Sequence, residues 1–174
     1  MNKLTLEDPR AIRTRKLLVD AFQQLIRIKN FEQITVKDIT ELATVNRATF
    51  YAHFVDKFEM LDEVLGQQLK EIMATHFTCH SQLDEQTIQR MFCSIIDVHQ
   101  QMESSCRRGY NSLHAIIEEK VKEMLIQVIL PMLPADKHQK TKAMMFSWAL
   151  YGAYESNPHD ADSAFIAQQL KKLL

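Results

Sequence analysis

Four polar side chains between residues 47 and 53 are the part of the chain best suited to binding chemistry. Arg47, Thr49, Tyr51 and His53 supply a guanidinium, two hydroxyls and an imidazole. Cationic and hydrogen-bonding groups of this kind contact phosphates and base edges. A helix face surrounded only by solvent more often carries Glu and Lys. The segment is therefore predicted to be a nucleic-acid recognition helix.

The elements around this segment are marked by helix-capping residues. Each of three helix starts has a cap residue and a second polar residue three positions later: Thr35 with Asp38, Asn46 with Thr49, and Asp56 with Glu59. Only Thr44 and Val45 separate the first helix from the cap of the second, so the chain must turn sharply, as a helix-turn-helix does. Its shared core is predicted from apolar residues at a period near 3.6: Val36, Ile39, Leu42, Ala43, Val45, Phe50 and Phe54.

Residues spaced through Arg13–Leu65 also match the pattern of a known family. They are Arg15, Lys16, Leu17, Leu18, Ala21, Phe22, Leu25, Ile34, Thr35, Val36, Lys37, Asp38, Ile39, Leu42, Ala43, Val45, Asn46, Ala48, Thr49, Phe50, Tyr51, His53, Phe54, Lys57 and Leu61. The segment resembles the N-terminal domain of tetracycline-repressor (TetR) family transcription regulators. One position departs, since the family usually has Gly in the turn where this chain has Thr44. A β-branched residue is strained at positive φ, so the turn either avoids that conformation or stores a little strain.

The resemblance implies a function and a set of DNA contacts. It implies a transcription regulator, most often a ligand-responsive repressor, that binds a pseudo-palindromic operator as a homodimer. Phosphate contacts would come from Thr35, Tyr51, His53 and Lys57, and base contacts chiefly from Arg47, Ala48 and Thr49. A DNA-binding domain is expected over residues 1–55, followed by a helical regulatory and dimerisation domain over residues 56–174.

The composition predicts an all-α fold. The chain has only three Gly and four Pro among 174 residues, and its apolar residues keep a helical spacing almost throughout. About nine helices and no strands are expected: about 9–28, 36–43, 47–53, one from 57, one from 84, and about 107–115, 117–132, 136–156 and 160–174. A hydrophobic content of 46% is enough for a core in a chain of this length.

Charge is distributed unevenly along the chain. Residues 1–58 contain 10 Lys and Arg against 7 Asp and Glu, whereas residues 59–174 contain 11 against 15. The basic side is the predicted DNA-binding end, where Arg10, Arg13, Arg15 and Lys16 lie close together in sequence. This distribution favours a modest electrostatic contribution to DNA binding.

The cysteines and the absence of long apolar runs predict a cytoplasmic location. Three cysteines, an odd number without close pairing, suit a reducing compartment better than a disulfide framework. No apolar run approaches the roughly 18 residues of a membrane span. The first residues also lack the apolar core of a signal peptide. No membrane association is therefore expected.

The last two helices are predicted to form a homodimer interface. Large apolar and small residues lie together in this region, so that a second helix can approach closely while the large side chains fill the margins. An ordinary intrachain core is the alternative interpretation. In the TetR family the last two helices of each subunit form a four-helix dimer interface, which these positions resemble. The predicted interface residues are Met145, Trp148, Ala149, Gly152, Phe165, Ile166 and Leu170.

A ligand pocket is predicted between the helix that starts at Lys57 and the helices at about 84–103 and 107–132. A ligand that shifts the first of these helices would change the spacing of the two DNA-binding heads. The predicted lining is Leu69, Met73, Phe77, Phe92, Ile96, Leu113, Ile117 and Met124. No charged group is clearly stranded among them, so a small apolar or aromatic effector is expected. The same pattern suits plain core packing, which leaves open whether a sizeable cavity exists.

Other kinds of site have less support in the sequence. His76, Cys79 and His80 have the spacing of metal ligands on one helix face but no fixed carboxylate partner, so no metal or other cofactor is predicted. No phosphate-binding glycine loop or nucleophile motif is present, and the chain is not expected to be an enzyme. Two alternatives stay open: a TetR-like regulator or co-activator controlled by a protein partner, and a helical ligand carrier or enzyme with a non-functional helix-turn-helix.

Overall fold

The fold is all-helical over the residues that the structure, a computed structural model, describes: 8–76, 82–106, 108–156 and 162–172. These ranges contain no strand. The α-helices are α1 (Pro9–Ile28), α2 (Val36–Leu42), α3 (Arg47–His53), α4 (Lys57–Ala74), α5 (Glu85–Ser105), α6 (Tyr110–Ile129), α7 (Gln139–Ser156) and α8 (Ser163–Lys171). Two short 3₁₀ turns are η1 (Phe31–Gln33) and η2 (Leu130–Met132). The predicted all-α class with a helix-turn-helix is confirmed, with eight α-helices in the described ranges instead of about nine.

Capping residues set where several helices begin. Asp8 Oδ1 accepts from the Arg10 amide at 2.9 Å, directly before Pro9 in the first turn of α1. Asp84 Oδ1 accepts from the Thr87 amide at 2.8 Å at the start of α5. Because the first amides of a helix have no acceptor inside it, each cap contributes about 1 kcal/mol to helix stability.

Two helices differ from the sequence prediction. The separate helices expected near 107–115 and 117–132 form one continuous α6, since neither Pro nor Gly occurs between Tyr110 and Ile129 to interrupt its hydrogen bonds. α7 begins at Gln139 instead of near residue 136. Asp136 lies before the helix, where its carboxylate accepts from the His138 amide and from Lys142 Nζ.

The chain divides into two compact units. The head unit comprises the residues up to Gln67 together with Met102–His114, and the body unit comprises Gln68–Gln101 together with the residues from Ala115 onwards. The predicted division into domains 1–55 and 56–174 stays a prediction.

The head unit has an apolar core that fixes the orientation of α3. Its fully buried side chains include Leu18, Phe22, Ile34, Ile39, Phe50, Phe54 and Met60. The Phe22 and Phe31 rings meet edge to face with centroids 6.3 Å apart. Burying side chains of this size contributes roughly 1.5–3 kcal/mol each. Phe50 of α3 and Phe54, directly after it, are buried in this core, and α3 packs against α2. The other side of α3 is exposed.

The Met102–His114 segment packs closely on the end of α1 inside the head unit. A Cβ on Gly109 would lie 2.8 Å from the Ile26 carbonyl oxygen and 3.2 Å from that of Lys29. Ser112 Oγ accepts from the Phe31 amide at 3.3 Å and donates to the Gly109 carbonyl at 2.8 Å. Glycine is required here because any side chain would push the segment away from α1.

The body unit is built on apolar faces of α5, α6 and α7. Its buried side chains include Ile88, Met91, Phe92, Ile95, Val98, Ile117, Val121, Leu125, Leu150 and Tyr151. One polar pair lies inside: His99 Nε2 and Tyr151 Oη are 2.8 Å apart, which satisfies both groups. In the described ranges no helix is both long and apolar enough to cross a membrane.

Candidate functional site

The outer surface of α3 is a polar face on a firmly anchored helix. Asn46 Oδ1 accepts from the Thr49 amide at 2.7 Å and from the Thr49 hydroxyl at 2.9 Å, as the cap predicts. Arg47 and Ala48 are exposed, and Tyr51 is 58% exposed. Among the described residues Arg47 has no hydrogen-bond or ion-pair partner, so its guanidinium donors are available to a ligand.

The turn between α2 and α3 contains strained backbone at Thr44. The Val45 amide donates to the Thr40 carbonyl at 3.0 Å and the Thr44 amide donates to that of Glu41 at 3.2 Å, which is the Schellman pattern. This pattern places the residue after the cap in the left-handed region, and Thr44 has a φ of 56°. A β-branched residue is disfavoured there. Of the two alternatives left by the sequence, the turn stores strain.

Thr35 is held in the capping box that the sequence predicts. Its hydroxyl accepts from the Asp38 amide at 3.1 Å and donates to Asp38 Oδ2 at 2.7 Å, and its amide donates to the same oxygen at 2.8 Å. The Thr35 hydroxyl and amide, with the Lys29 ammonium, hold the pKa of Asp38 at about 2. The start of α2 is therefore anionic at neutral pH, and the Thr35 hydroxyl is already occupied.

His53 ends α3 and is only partly exposed. Burial, with the Arg15 guanidinium as a second cause, lowers the pKa of His53 below its usual value. The neutral imidazole is therefore favoured at pH 7. At this pH His53 can offer a phosphate one N–H donor without a positive charge.

Arg15 is turned into the head unit. Its guanidinium forms an ion pair with Glu63 of α4, donates to the His53 carbonyl at 2.9 Å, and lies 4.1 Å from the centroid of the Phe54 ring. Arg15 therefore joins α1, α3 and α4. Of the basic residues near the start of α1, Arg10, Arg13 and Lys16 are the exposed ones.

Lys57 has a structural environment that the sequence did not reveal. Its ammonium donates to the carbonyl oxygens of Phe31 (3.0 Å), Glu32 (3.1 Å) and Ile34 (2.8 Å), and lies 4.6 Å from the centroid of the Phe31 ring. An ammonium has three N–H donors, so all three are used. One signal was available: Lys57 is the first residue of α4, where a cation opposes the helix dipole and needs acceptors from elsewhere.

The outer face of α7 is apolar. Met145 is 66% exposed and Trp148 is 58% exposed, and on α8 Phe165 is 57% exposed. Gly152 is also exposed, and a Cβ added to it would meet nothing within 4 Å. Of the other predicted interface residues, Ala149 and Ile166 are half-buried and Leu170 is buried.

The residues predicted to line a ligand pocket lie mostly in core packing. Leu69, Met73, Phe92 and Ile117 are buried in the body unit, and Leu113 is buried in the head unit. Ile96 and Met124 are half-buried, and Phe77 lies outside the described residues. A cavity of about 670 Å³ in the body unit is lined by other residues. The predicted pocket stays a prediction.

The candidate metal ligands do not form a site within the described residues. His76 Nε2 lies 2.8 Å from Asp97 Oδ2, while Cys79 and His80 fall outside the described ranges. Within those ranges no group of three or more His, Cys, Asp or Glu side chains could hold a metal ion.

Comparison with known proteins places the head in a family. Residues 18–64 match the family model described as bacterial regulatory proteins, tetR family. Two solved structures share the fold at 14% identity: the TetR family repressor AlkX from Dietzia sp. strain DQ12-45-1b (TM-score 0.53) and a transcriptional regulator from Pseudomonas aeruginosa PAO1 (TM-score 0.54). The alignments cover 99% of this chain, with 95% of the first structure and 93% of the second. Residues 18–64 are thus similar to TetR-family regulators, and the chain shares its fold with the two solved structures.

Curated relatives match only part of this chain. The HTH-type transcriptional regulator YxbF of Bacillus subtilis strain 168 is 37% identical over 79 residues, which are 45% of this chain and 20% of YxbF. The HTH-type dhaKLM operon transcriptional activator DhaS of Lactococcus lactis strain IL1403 is 30% identical over 73 residues, which are 42% of this chain and 39% of DhaS. The chain thus matches between a fifth and two fifths of the length of these relatives.

Proposed function

We propose that this chain is a TetR-family transcription regulator that binds a pseudo-palindromic DNA operator as a homodimer. The observation that carries the proposal is α3 itself: a capped helix, fixed by Phe50 and Phe54, that presents Arg47, Ala48 and Tyr51 to the outside. Recognition helices present their N-terminal residues to base edges in the major groove. The match of residues 18–64 to the tetR family supports the same function.

The proposed contacts keep most of the residues named from the sequence. Bases are contacted by Arg47, Ala48 and Thr49, and phosphates by Tyr51 and His53. A phosphate contact from Thr35 would have to replace its hydrogen bonds to Asp38, so it is the weakest of the contacts named from the sequence. Arg47 is the strongest candidate for specificity, because a free guanidinium can bind guanine O6 and N7 with two hydrogen bonds.

We revise the role of Lys57 in this proposal. To reach a phosphate, its ammonium would have to leave three carbonyl oxygens at 2.8–3.1 Å. We propose that Lys57 instead fixes η1 against the start of α4, and so supports the helix-turn-helix from behind.

The dimer is proposed to form through the outer faces of α7 and α8. Exposed large apolar side chains beside an exposed Gly152 suit close packing against the same face of a second copy. A two-fold axis there would let two recognition helices meet successive major grooves about 34–36 Å apart.

Control of the regulator is a further part of the proposal. We retain repression, because a dimer bound across an operator excludes other proteins from that DNA, and a small apolar or aromatic effector as the signal. DhaS is named an activator, so regulation by activation is the second candidate. Control by a protein partner stays the alternative that the sequence left open. Operator binding also implies that the chain works in the cytoplasm, as the sequence predicts.

The proposal is tested by selecting genomic fragments with the purified full chain and sequencing those retained. We expect enrichment of an inverted repeat. DNA that contains this repeat should migrate in a gel-shift assay as a complex with one dimer. The Arg47→Ala variant, shown to be folded by circular dichroism, should enrich the repeat less and lose the base preference at one position of it. Retention of no fragment above background by the wild-type chain would refute operator binding and favour the carrier alternative. A reporter gene behind the enriched site then gives the sign of regulation.

A further inference from the structure

A cavity of about 670 Å³ in the body unit has no role in DNA binding or in the predicted effector pocket. Its walls come from four places in the chain: the residues before α5, the end of η2 with the following loop, the first half of α7, and the end of α8. The lining residues are Gln82, Leu83, Asp84, Met132, Leu133, Pro134, Lys142, Met145, Phe146, Ala149 and Lys171. This volume is within the range of pockets that bind small molecules, about 300–1,000 Å³.

The wall is mainly aliphatic and thioether surface. Leu83 and Phe146 are 6% and 5% exposed and form buried parts of it, while Met132 and Met145 contribute flexible side chains. Methionines adapt to irregular apolar shapes because their chains are unbranched and polarisable. The wall therefore suits the apolar body of a ligand.

The charged groups of the lining differ in the hydrogen bonds and ion pairs that they already form within the protein. Lys142 Nζ is 2.6 Å from Asp136 Oδ2, and Asp84 Oδ1 caps α5 through the Thr87 amide. Lys171 Nζ donates to the Leu83 carbonyl at 2.8 Å. Among the described residues Lys171 has no carboxylate partner.

Lys171 is thus a positioned cation at an apolar cavity. The residue is exposed, and its hydrogen bond to Leu83, itself a lining residue, holds the ammonium beside the cavity and leaves two N–H donors for an anion. A carboxylate there would form a charge-assisted hydrogen bond, which is shorter and stronger than a neutral one.

We propose that this cavity binds a small monocarboxylate with an apolar body, the carboxylate on Lys171 Nζ and the body against Met132, Met145 and Phe146. The site does not depend on operator binding. It lies beside the proposed dimer interface, because Met145 and Ala149 belong to both. The test is therefore made on the full chain as it exists in solution, without DNA.

The test compares three probes of equal chain length with different head groups: octanoate, 1-octanol and octylammonium. Methyl NMR of methionine-labelled protein reports the place of binding, because Met132 and Met145 line the cavity while Met60 is buried in the head unit. We expect saturable shifts at Met132 and Met145 and none at Met60. Octanoate should bind about tenfold more tightly than octanol, the factor that corresponds to one charge-assisted hydrogen bond, and octylammonium more weakly still.

Three variants connect the preference to one side chain. Lys171→Gln, which can still donate to Leu83, should make octanoate and octanol bind equally. Lys171→Arg should keep the preference for octanoate. Lys172→Gln, which changes the neighbouring lysine that donates to Gln169 and does not line the cavity, should leave the preference unchanged. Octanoate shifts centred on Met60, no saturable shift, or an undiminished preference in Lys171→Gln would each overturn the proposal. None of these results bears on whether the chain binds an operator.

Discussion

α3 and α7 both expose side chains, but the two exposed faces have opposite chemistry. The outer face of α3 carries Arg47 and Tyr51 and is polar or small elsewhere, whereas that of α7 carries Met145 and Trp148 beside Gly152. Each helix is fixed on its inner side, α3 by Phe50 and α7 by Leu150 and other buried residues. The side chains of the outer faces therefore take no part in core packing.

The contrast indicates what kind of partner each face suits. Water solvates hydrogen-bonding and cationic groups well when no ligand is bound. Against a polyanion these groups form charge-assisted contacts, so DNA binding by α3 should weaken as the salt concentration rises. Large apolar groups gain by leaving water, so association through α7 should depend little on salt.

The apolar face is tested first by Trp148→Glu. If α7 pairs with a second copy, the substitution buries an unpaired charge at the centre of the interface and should weaken self-association on the order of 100-fold. Sedimentation at several concentrations measures it. Leu17→Glu, a similarly exposed apolar residue on α1, is the control and should leave association unchanged. If the Trp148→Glu variant still forms the dimer, the interface does not lie on α7.

The polar face is tested by changing Arg47. Arg47→Ala should weaken operator binding by about 1–3 kcal/mol, or roughly 5- to 150-fold, and relax specificity at one position. Arg47→Lys keeps the charge but not the planar fork, so it should retain the salt dependence while losing most of the base preference. Titration against operator variants separates the two effects. Equal specificity in all three proteins would contradict base reading by this residue.

Lys57→Met tests whether Lys57 contacts a DNA phosphate or supports the helix-turn-helix from within the head unit. Three hydrogen bonds to carbonyls are lost, so the free energy of unfolding should fall by about 1–3 kcal/mol. Denaturant unfolding measures it, with Lys16→Met, an exposed cation, as the control. The salt slope of operator binding should stay unchanged; a decrease of about one unit would instead restore the phosphate contact predicted from the sequence.

Thr44→Gly tests the backbone strain in the turn between α2 and α3, which sets the direction of α3. Removing the side chain relieves the left-handed strain at a φ of 56°, offset in part by the greater freedom of glycine in the unfolded chain. A gain in stability of about 0.5–1 kcal/mol is expected. Thr44→Ala keeps a Cβ and should gain much less. Loss of stability in the glycine variant would show that the turn is not strained.

Asp38, in the first turn of α2, should make the free energy of unfolding slightly dependent on pH. Because the pKa of Asp38 is lowered from 3.8 to about 2 in the folded chain, its contribution to stability is present above about pH 4 and is lost as the pH falls towards 2. Asp38→Asn should flatten the dependence of unfolding on pH in that window. An identical acid profile in both proteins would mean that other carboxylates account for it.

The sequence predicted the helix-turn-helix well because its determinants are local. The caps at Thr35, Asn46 and Asp56 bind amides within three residues along the chain, and the spacing of Phe50 and Phe54 alone assigns the inner side of α3. The polar outer face of α3 follows from the same periodicity. The apolar outer face of α7 does not, because that helix has apolar residues on both its buried and its exposed sides. Their partners, the operator and a second copy, stay predictions.

Only the tertiary structure decided which cations are available and where a cavity lies. Arg15 reaches Glu63 across 48 positions and Lys57 reaches Phe31 across 26, so a count of basic residues could not show that both are used inside the head unit. The cavity likewise joins residues near 83, 133, 146 and 171. Helical periodicity tells which side of a helix is apolar, but not which distant segment meets it. That depends on packing, because contacts between remote residues exist only once the helices have come together.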